Sequence, residues 1–214
     1  MSQDEVSGPE GTRSDRRKRR NRQLMIDAAY KVFAEKGIDA ATMLEIAAQA
    51  DVGAGTVYNY FDSKDELAMC VMEQVMNRLS QRIEVITNAF KDPAQVYAYG
   101  IRQVMRSAIT DQRWRWLLRR SDVIADAMYR AMGPYAIRDI RLAVSAKRFE
   151  VEDAELAWRQ ATHAMVAFGL AVFDHNVSPK KIDEAVVNLL GMVGVPRAEA
   201  WEIARRPSPE LPRE

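Results

Sequence analysis

Residues 42–67, TMLEIAAQADVGAGTVYNYFDSKDEL, carry the pattern on which the fold turns. Thr42-x-x-Glu45 and Ser63-x-x-Glu66 both have the form of a capping box, in which a hydroxyl and a carboxylate satisfy the orphan backbone donors of a helix start. Between them Asp51-Val52-Gly53 interrupts the first helical run, and Gly53 is expected to supply the backbone freedom of a sharp turn. A short helix, a tight turn, a second short helix and a newly capped third helix is the layout of a helix-turn-helix, which implies a DNA reader.

The second short helix has two unlike faces. At about 100° per residue, Val57 and Phe61 fall on one side and Gly55, Thr56 and Asn59 on the other. The apolar pair is expected to anchor the helix, with Phe61 an ordinary packing aromatic. Gly55 and Thr56 are small enough to let the backbone approach a groove floor. Asn59 has the amide geometry to pair with adenine N6 and N7. The hydroxyls of Tyr58 and Tyr60 and the charge of Lys64 suit phosphate oxygens.

The same stretch resembles the operator-binding segment of the TetR family of bacterial repressors, with a pattern of approximately T-x-x-x-I-A-x-x-A-x-V-S-x-G-T-x-Y-x-Y-F-x-S-K-x-x-L. It matches at Thr42, Ile46, Ala47, Ala50, Val52, Gly55, Thr56, Tyr58, Tyr60, Phe61, Ser63, Lys64 and Leu67. Upstream, Ala28-Ala29 to Phe33 with Lys36-Gly37 is similar to that family's first helix. Gly53 departs from the usual serine and loses a hydroxyl cap, although glycine is itself an acceptable N-cap. The resemblance implies DNA contacts at Thr42, Thr56, Tyr58, Tyr60 and Lys64. It also implies repression, a homodimer and release by a small-molecule effector. Asn59 stands at a variable position and rests on geometry.

The chain of 214 residues is 48% hydrophobic, enough to bury a substantial core, and its formal net charge is only +1. No global field draws it to nucleic acid; the cations are concentrated. RSDRRKRRNR at 13–22 sets seven cations against one aspartate. The segment is expected to be an extension that tracks phosphates or enters the minor groove, through Arg16, Arg17, Arg19 and Arg20. Residues 1–15 read as a disordered tail. No apolar signal region follows Met1, no run approaches the roughly 18 apolar residues of a membrane span, and Cys70 is alone. These features suit a reducing cytoplasm.

The rest reads as helices, giving an all-α fold. A three-helix DNA-binding domain at 16–62 precedes a larger helical effector and dimerisation domain at 63–206, with a flexible tail at 207–214. Helices are expected over Ser63 to about Phe90, from Asp92-Pro93 to about Ile109, and over Glu152 to about Phe173. A further one runs from Ser178-Pro179 to Val193, and Arg197 to about Arg205 is a final short turn. Gly133-Pro134 is expected to separate two helices, Asp122 to Met132 and Pro134 to Lys147.

The last two long helices are apolar over more than one stripe, which predicts a dimer interface. Its candidates are Leu156, Ala157, Ala161, Ala164, Met165 and Phe168, then Ile182, Val186, Leu189 and Leu190. Met72, Met76, Tyr97, Ile101, Met105, Trp114, Leu117 and Met128 offer surface for an apolar effector pocket, though each also suits ordinary core. Arg102, Arg106 and Arg113 suit either an anionic ligand or solvent. Catalysis finds little support: the histidines are His163 and His175, and no metal-ligand spacing, nucleophile elbow or phosphate loop is present. No cofactor or metal is expected. An all-α lyase or hydrolase, or a helical scaffold with an incidental helix-turn-helix, is the alternative.

Overall fold

A computed structural model describes residues 12–110, 118 and 121–212. Among them the secondary structure is helical throughout: α1 (Arg13–Ala40), α2 (Met43–Gln49), α3 (Ala54–Tyr58), α4 (Lys64–Thr87), α5 (Pro93–Thr110), α6 (Ser121–Ser145), α7 (Ala154–Phe173), a 3-10 turn (Pro179–Lys181), α8 (Ile182–Met192) and α9 (Arg197–Ala204). The chain divides into two compact units after Leu67, inside α4 and beyond the expected boundary at 62. The start of α4 belongs with the first unit because Lys64 and Leu67 are built into it.

In the first unit α1 starts earlier than the sequence pattern suggests. Thr12 and Asp15 form a capping box, the threonine hydroxyl accepting the Asp15 N–H and the carboxylate accepting the Thr12 N–H. That cap lies inside the stretch expected to be a disordered tail. It makes the basic run part of a continuous helix. Gly37 then takes φ 82, a left-handed conformation glycine adopts without a Cβ penalty, and bends the chain toward α2. Met25, Ile26, Ala29, Val32 and Phe33 of α1 close over Met43, Ile46 and Ala47 of α2, with Val57, Phe61 and Leu67 completing the core.

In the second unit α5 is the central helix, packed against α6, α7, α8 and α9. Asp92 opens α5 by accepting the Ala94 N–H at 3.1 Å, with Pro93 in the first turn. The same carboxylate receives Arg206 at 2.7 Å and Arg148 at 3.1 Å, and Arg148 goes on to Glu199 at 2.5 Å. Burial alone would raise the Asp92 pKa; the bonds from Arg206 and Arg148 outweigh it and hold the carboxyl below its ordinary range. Arg102, buried, pairs with Asp183 and donates to the Ala204 carbonyl at 2.5 Å. It clips α5 to α8 and α9 instead of meeting a ligand.

The structure corrects two expectations about the second unit. Gly133-Pro134 does not break the chain; α6 runs through it. Proline withholds one N–H from the ladder, but Pro134 lies on the exposed side and the burial of Ile124, Met128, Ala131, Met132 and Ile140 on both sides of it keeps the helix together. The segment after Arg206 is not loose over its described part. Gln103 donates to the Ser208 hydroxyl at 3.1 Å, the Tyr99 hydroxyl to the Pro209 carbonyl at 2.9 Å, and Arg82 to the Pro212 carbonyl at 2.8 Å.

Candidate nucleic-acid interface

The helix-turn-helix is assembled from local rules. Thr42 and Glu45 form the expected box: the Glu45 N–H donates to Thr42 Oγ1 at 3.2 Å, and the Thr42 N–H to Glu45 Oε2 at 2.9 Å. Lys36 adds an ion pair to Glu45 at 2.7 Å, and this bond, with those from Thr42, lowers the glutamate pKa. The second box is skewed: Glu66 N–H donates to Ser63 Oγ at 3.1 Å, while the Glu66 carboxylate accepts the N–H of Asp62 at 2.6 Å.

The turn itself overturns one reading. Gly53 has φ −67, which any residue adopts, and is the N-cap of α3 without a side-chain bond. The left-handed residue is Asp51, at φ 55. Aspartate tolerates that region better than most side chains, so the reversal needs no glycine.

The faces of α3 fall as the spacing requires. Val57 and Phe61 are fully buried, and the Arg22 guanidinium stands 5.1 Å from the Phe61 ring centre. Gly55 and Asn59 are exposed, Tyr58 is 56% exposed, and Thr56 and Tyr60 are half-buried. A Cβ built on Gly55 meets nothing within 4 Å. One side of α3 is thus clear of the protein, presenting a backbone ridge with an amide and a phenol beside it. Such a surface can enter a major groove about 12 Å wide and hydrogen-bond base edges and phosphates.

Lys64 does something the sequence did not suggest. Its ammonium donates to the carbonyls of Asp39 and Ala41, both at 2.9 Å, capping the end of α1. Two of its three donors are therefore committed within the protein, which gives Lys64 a structural role beside the expected phosphate contact. Thr42, exposed, keeps an oxygen already engaged in its cap. Arg16, Arg17, Arg19 and Arg20 are all exposed on the first turns of α1. A helix about 10 Å wide does not itself enter a minor groove of about 6 Å, so these arginines would reach phosphates or a groove by their side chains alone.

The expected dimer residues divide into two sets. Ala161, Met165, Val186, Leu189 and Leu190 are buried in the protomer's own core and are corrected to packing residues. Leu156 is 52% exposed, and Ala157, Ala164, Phe168 and Ile182 are partly exposed. With His163, Ala167 and Met192 they form the outward side of α7 and α8.

The effector candidates divide similarly. Tyr97 and Ile101 line a cavity of about 50 Å³ among α4, α5, α6 and α7, whereas Met72, Met76, Met105 and Met128 pack into the core away from it. Trp114, Leu117 and Arg113 lie outside the described residues, and Arg106 is exposed. Burial pushes the Tyr97 phenol pKa up, so it stays a neutral hydroxyl. The cavity also holds residues that sequence reasoning passed over: Ser80, Glu84, Tyr135, Arg138, Asp139 and Trp158. Arg138 bridges Glu84 at 2.7 Å and Asp139 at 2.8 Å, and burial raises the Asp139 pKa against that pairing.

Comparison with known proteins agrees with this geometry. Residues 25–69 match the profile of bacterial regulatory proteins of the tetR family, and residues 92–206 that of the tetracyclin repressor-like C-terminal domain. The chain belongs to the TetR family. Its TetR head is similar to that of the HTH-type transcriptional regulator HbdR of Aromatoleum sp. (strain CIB), 37% identical over 80 residues, which are 37% of this chain and 35% of that protein. The fatty acid metabolism regulator protein of Bacillus subtilis (strain 168) is 35% identical over 69 residues, 32% of this chain and 36% of that protein. The chain thus spans about a third of the length of these curated relatives. A longer match is the crystal structure of RolR in complex with the ligand resorcinol: TM-score 0.83, 30% identity, 92% of this chain and 100% of that one. Among the described residues no group of three or more metal-ligating side chains comes together, and no helix is long and apolar enough to cross a membrane.

Proposed function

We propose that this protein is a sequence-specific DNA-binding transcription regulator, a repressor that leaves its operator when a small molecule occupies the α4–α7 cavity. The single observation that supports the DNA reading is α3, with Val57 and Phe61 locked in the core and Gly55, Tyr58 and Asn59 facing outward. Tyr58, Tyr60, Thr42 and the arginines of α1 supply backbone contacts, while Asn59 reads a base. Lys64 holds the head together and has one donor left for a phosphate.

The operator-bound species is a homodimer that works on chromosomal DNA in the cytoplasm. Its interface is the outward side of α7 and α8, around Leu156, Ala164, Phe168, Ile182 and Met192. A two-fold dimer meets half-sites about 34–36 Å apart on one DNA face, or a multiple of that. The solved complex of RolR with resorcinol supports effector control here, because its whole chain aligns with this one. Gel-shift assays with DNA from upstream of the protein's own coding region test the proposal. A complex that weakens steeply with salt is expected. A protein that binds this DNA no better than random duplex is not the regulator described.

A further inference from the structure

The cavity among α4, α5, α6 and α7 contains an imbalance in hydrogen bonding. Ser80 and Trp158 are 4% and 2% exposed, and neither Ser80 Oγ nor Trp158 Nε1 has a hydrogen-bond partner among the described residues. Both residues line the same cavity. Buried polar atoms are paired in the great majority of native structures, so two orphans among the residues that line one void point to an occupant that reaches them. Trp158 Nε1 lies beside Gly133, which has no side chain to answer it.

The chemistry of that occupant follows from the lining. Indole N–H is a donor only and requires an acceptor, which excludes an ammonium at that point. Glu84 and Asp139 outnumber the one cation they share, Arg138, so a carboxylate ligand would meet like charge. The same two acidic groups welcome a donor, and Ser80 takes either role. A hydroxyl is the small neutral group that both accepts and donates. The rings of Tyr97, Tyr135 and Trp158 in the wall favour a flat aromatic partner. The volume sets an upper limit on size: about 50 Å³ is a third of the roughly 150 Å³ of an engineered void that takes benzene, so a single ring enters only with outward movement of the wall and a fused pair of rings does not fit.

We propose that the cavity binds a neutral, single-ring hydroxyaromatic compound, its oxygen accepting the Trp158 indole N–H and exchanging a hydrogen bond with the Ser80 hydroxyl. The assignment rests on the regulator reading only for its consequence, release of DNA; the binding itself stands on the cavity.

The test uses the full chain in calorimetric titration and thermal unfolding with phenol, cyclohexanol, benzoate and 2-naphthol as probes. Phenol is expected to bind at least tenfold more tightly than the other three. Ser80→Ala should weaken phenol about five- to tenfold while leaving the melting temperature of the free protein unchanged or higher, because an unpaired hydroxyl is removed. Trp158→Phe keeps a ring and should weaken phenol similarly. Absence of phenol binding at millimolar concentration overturns the assignment, with water then the partner of both orphans. So does tighter binding of benzoate, or a Ser80→Ala protein that melts lower and binds phenol normally. A gel shift without any probe separates the two readings. A salt-sensitive complex with no phenol binding leaves the regulator and removes the ligand class; phenol binding with no DNA complex does the reverse.

Discussion

Gly55→Ala separates the fold of the reading head from its contact with DNA. Gly55 is the second residue of α3, has an ordinary helical backbone, and has no heavy atom within 4 Å of the place a Cβ would occupy. Within the protein the methyl group therefore meets no obstacle. Alanine is up to about 1 kcal/mol better than glycine inside a helix; near the end of so short a helix about half of that is expected, a rise of about 2 °C in melting temperature. At the operator the same methyl is pressed against the groove floor. Overpacking of this kind costs about 1–3 kcal/mol at each site, and a dimer has two, so affinity should fall by about 30-fold or more. The variant keeps every charge, so the slope of log affinity against log salt should stay as it was. Thermal unfolding and gel-shift titration over several salt concentrations measure both halves. A variant that binds with native affinity would show that DNA never approaches this ridge. A variant that melts lower would show that the open side is occupied.

Lys64→Met should cost about 1–2 kcal/mol in unfolding, since the Asp39 and Ala41 carbonyls lose their donor, and its salt slope should fall by less than a full unit per protomer; an unchanged melting temperature refutes the tie. Asn59→Ala should relax preference at one base position in each half-site by about 1–3 kcal/mol, and a uniform loss across sequences removes its base-reading role. Replacing Arg16, Arg17, Arg19 and Arg20 together by alanine should reduce the salt slope by about 0.9 for each phosphate no longer neutralised, with helix content by circular dichroism kept. For Asp92 the folded pKa lies below the ordinary 3.8, so its stabilisation is complete above that value and fades as pH falls through the depressed one. Asp92→Asn should therefore flatten the acid limb of the stability curve and cost about 2 kcal/mol at neutral pH; parallel acid limbs for the two proteins contradict the pairing.

Short-range rules govern what the chain reveals on reading. The Thr42 box, the opposed faces of α3, the Asp92-Pro93 start and the Ser178-Pro179 start all depend on residues within one turn of each other, and the structure has them. What the chain conceals lies where distant residues decide. Lys64 reaches carbonyls 25 and 23 positions away, which no local pattern encodes. Apolar periodicity marked Met165 and Val186 as surface for a partner, yet it cannot say which apolar wall a side chain meets, and both lie in the protomer's core. Glycine is the usual left-handed residue, which points to Gly53 for the turn, whereas Asp51 takes that role. Ser80 and Trp158 gave no signal at all: a lone serine or tryptophan in an amphipathic run looks like packing until its missing partner is seen in three dimensions.

The last described residues offer a practical lesson about where this protein tolerates engineering. Pro209 and Pro212 contribute only oxygens, and the donors that grip them belong to Tyr99 and Arg82, with Gln103 holding Ser208 just before them. Clipping the chain behind Arg206 would spare every helix and still strand a phenol and an amide that now have mates. Tags are best kept clear of this acceptor segment, which then keeps its natural seat.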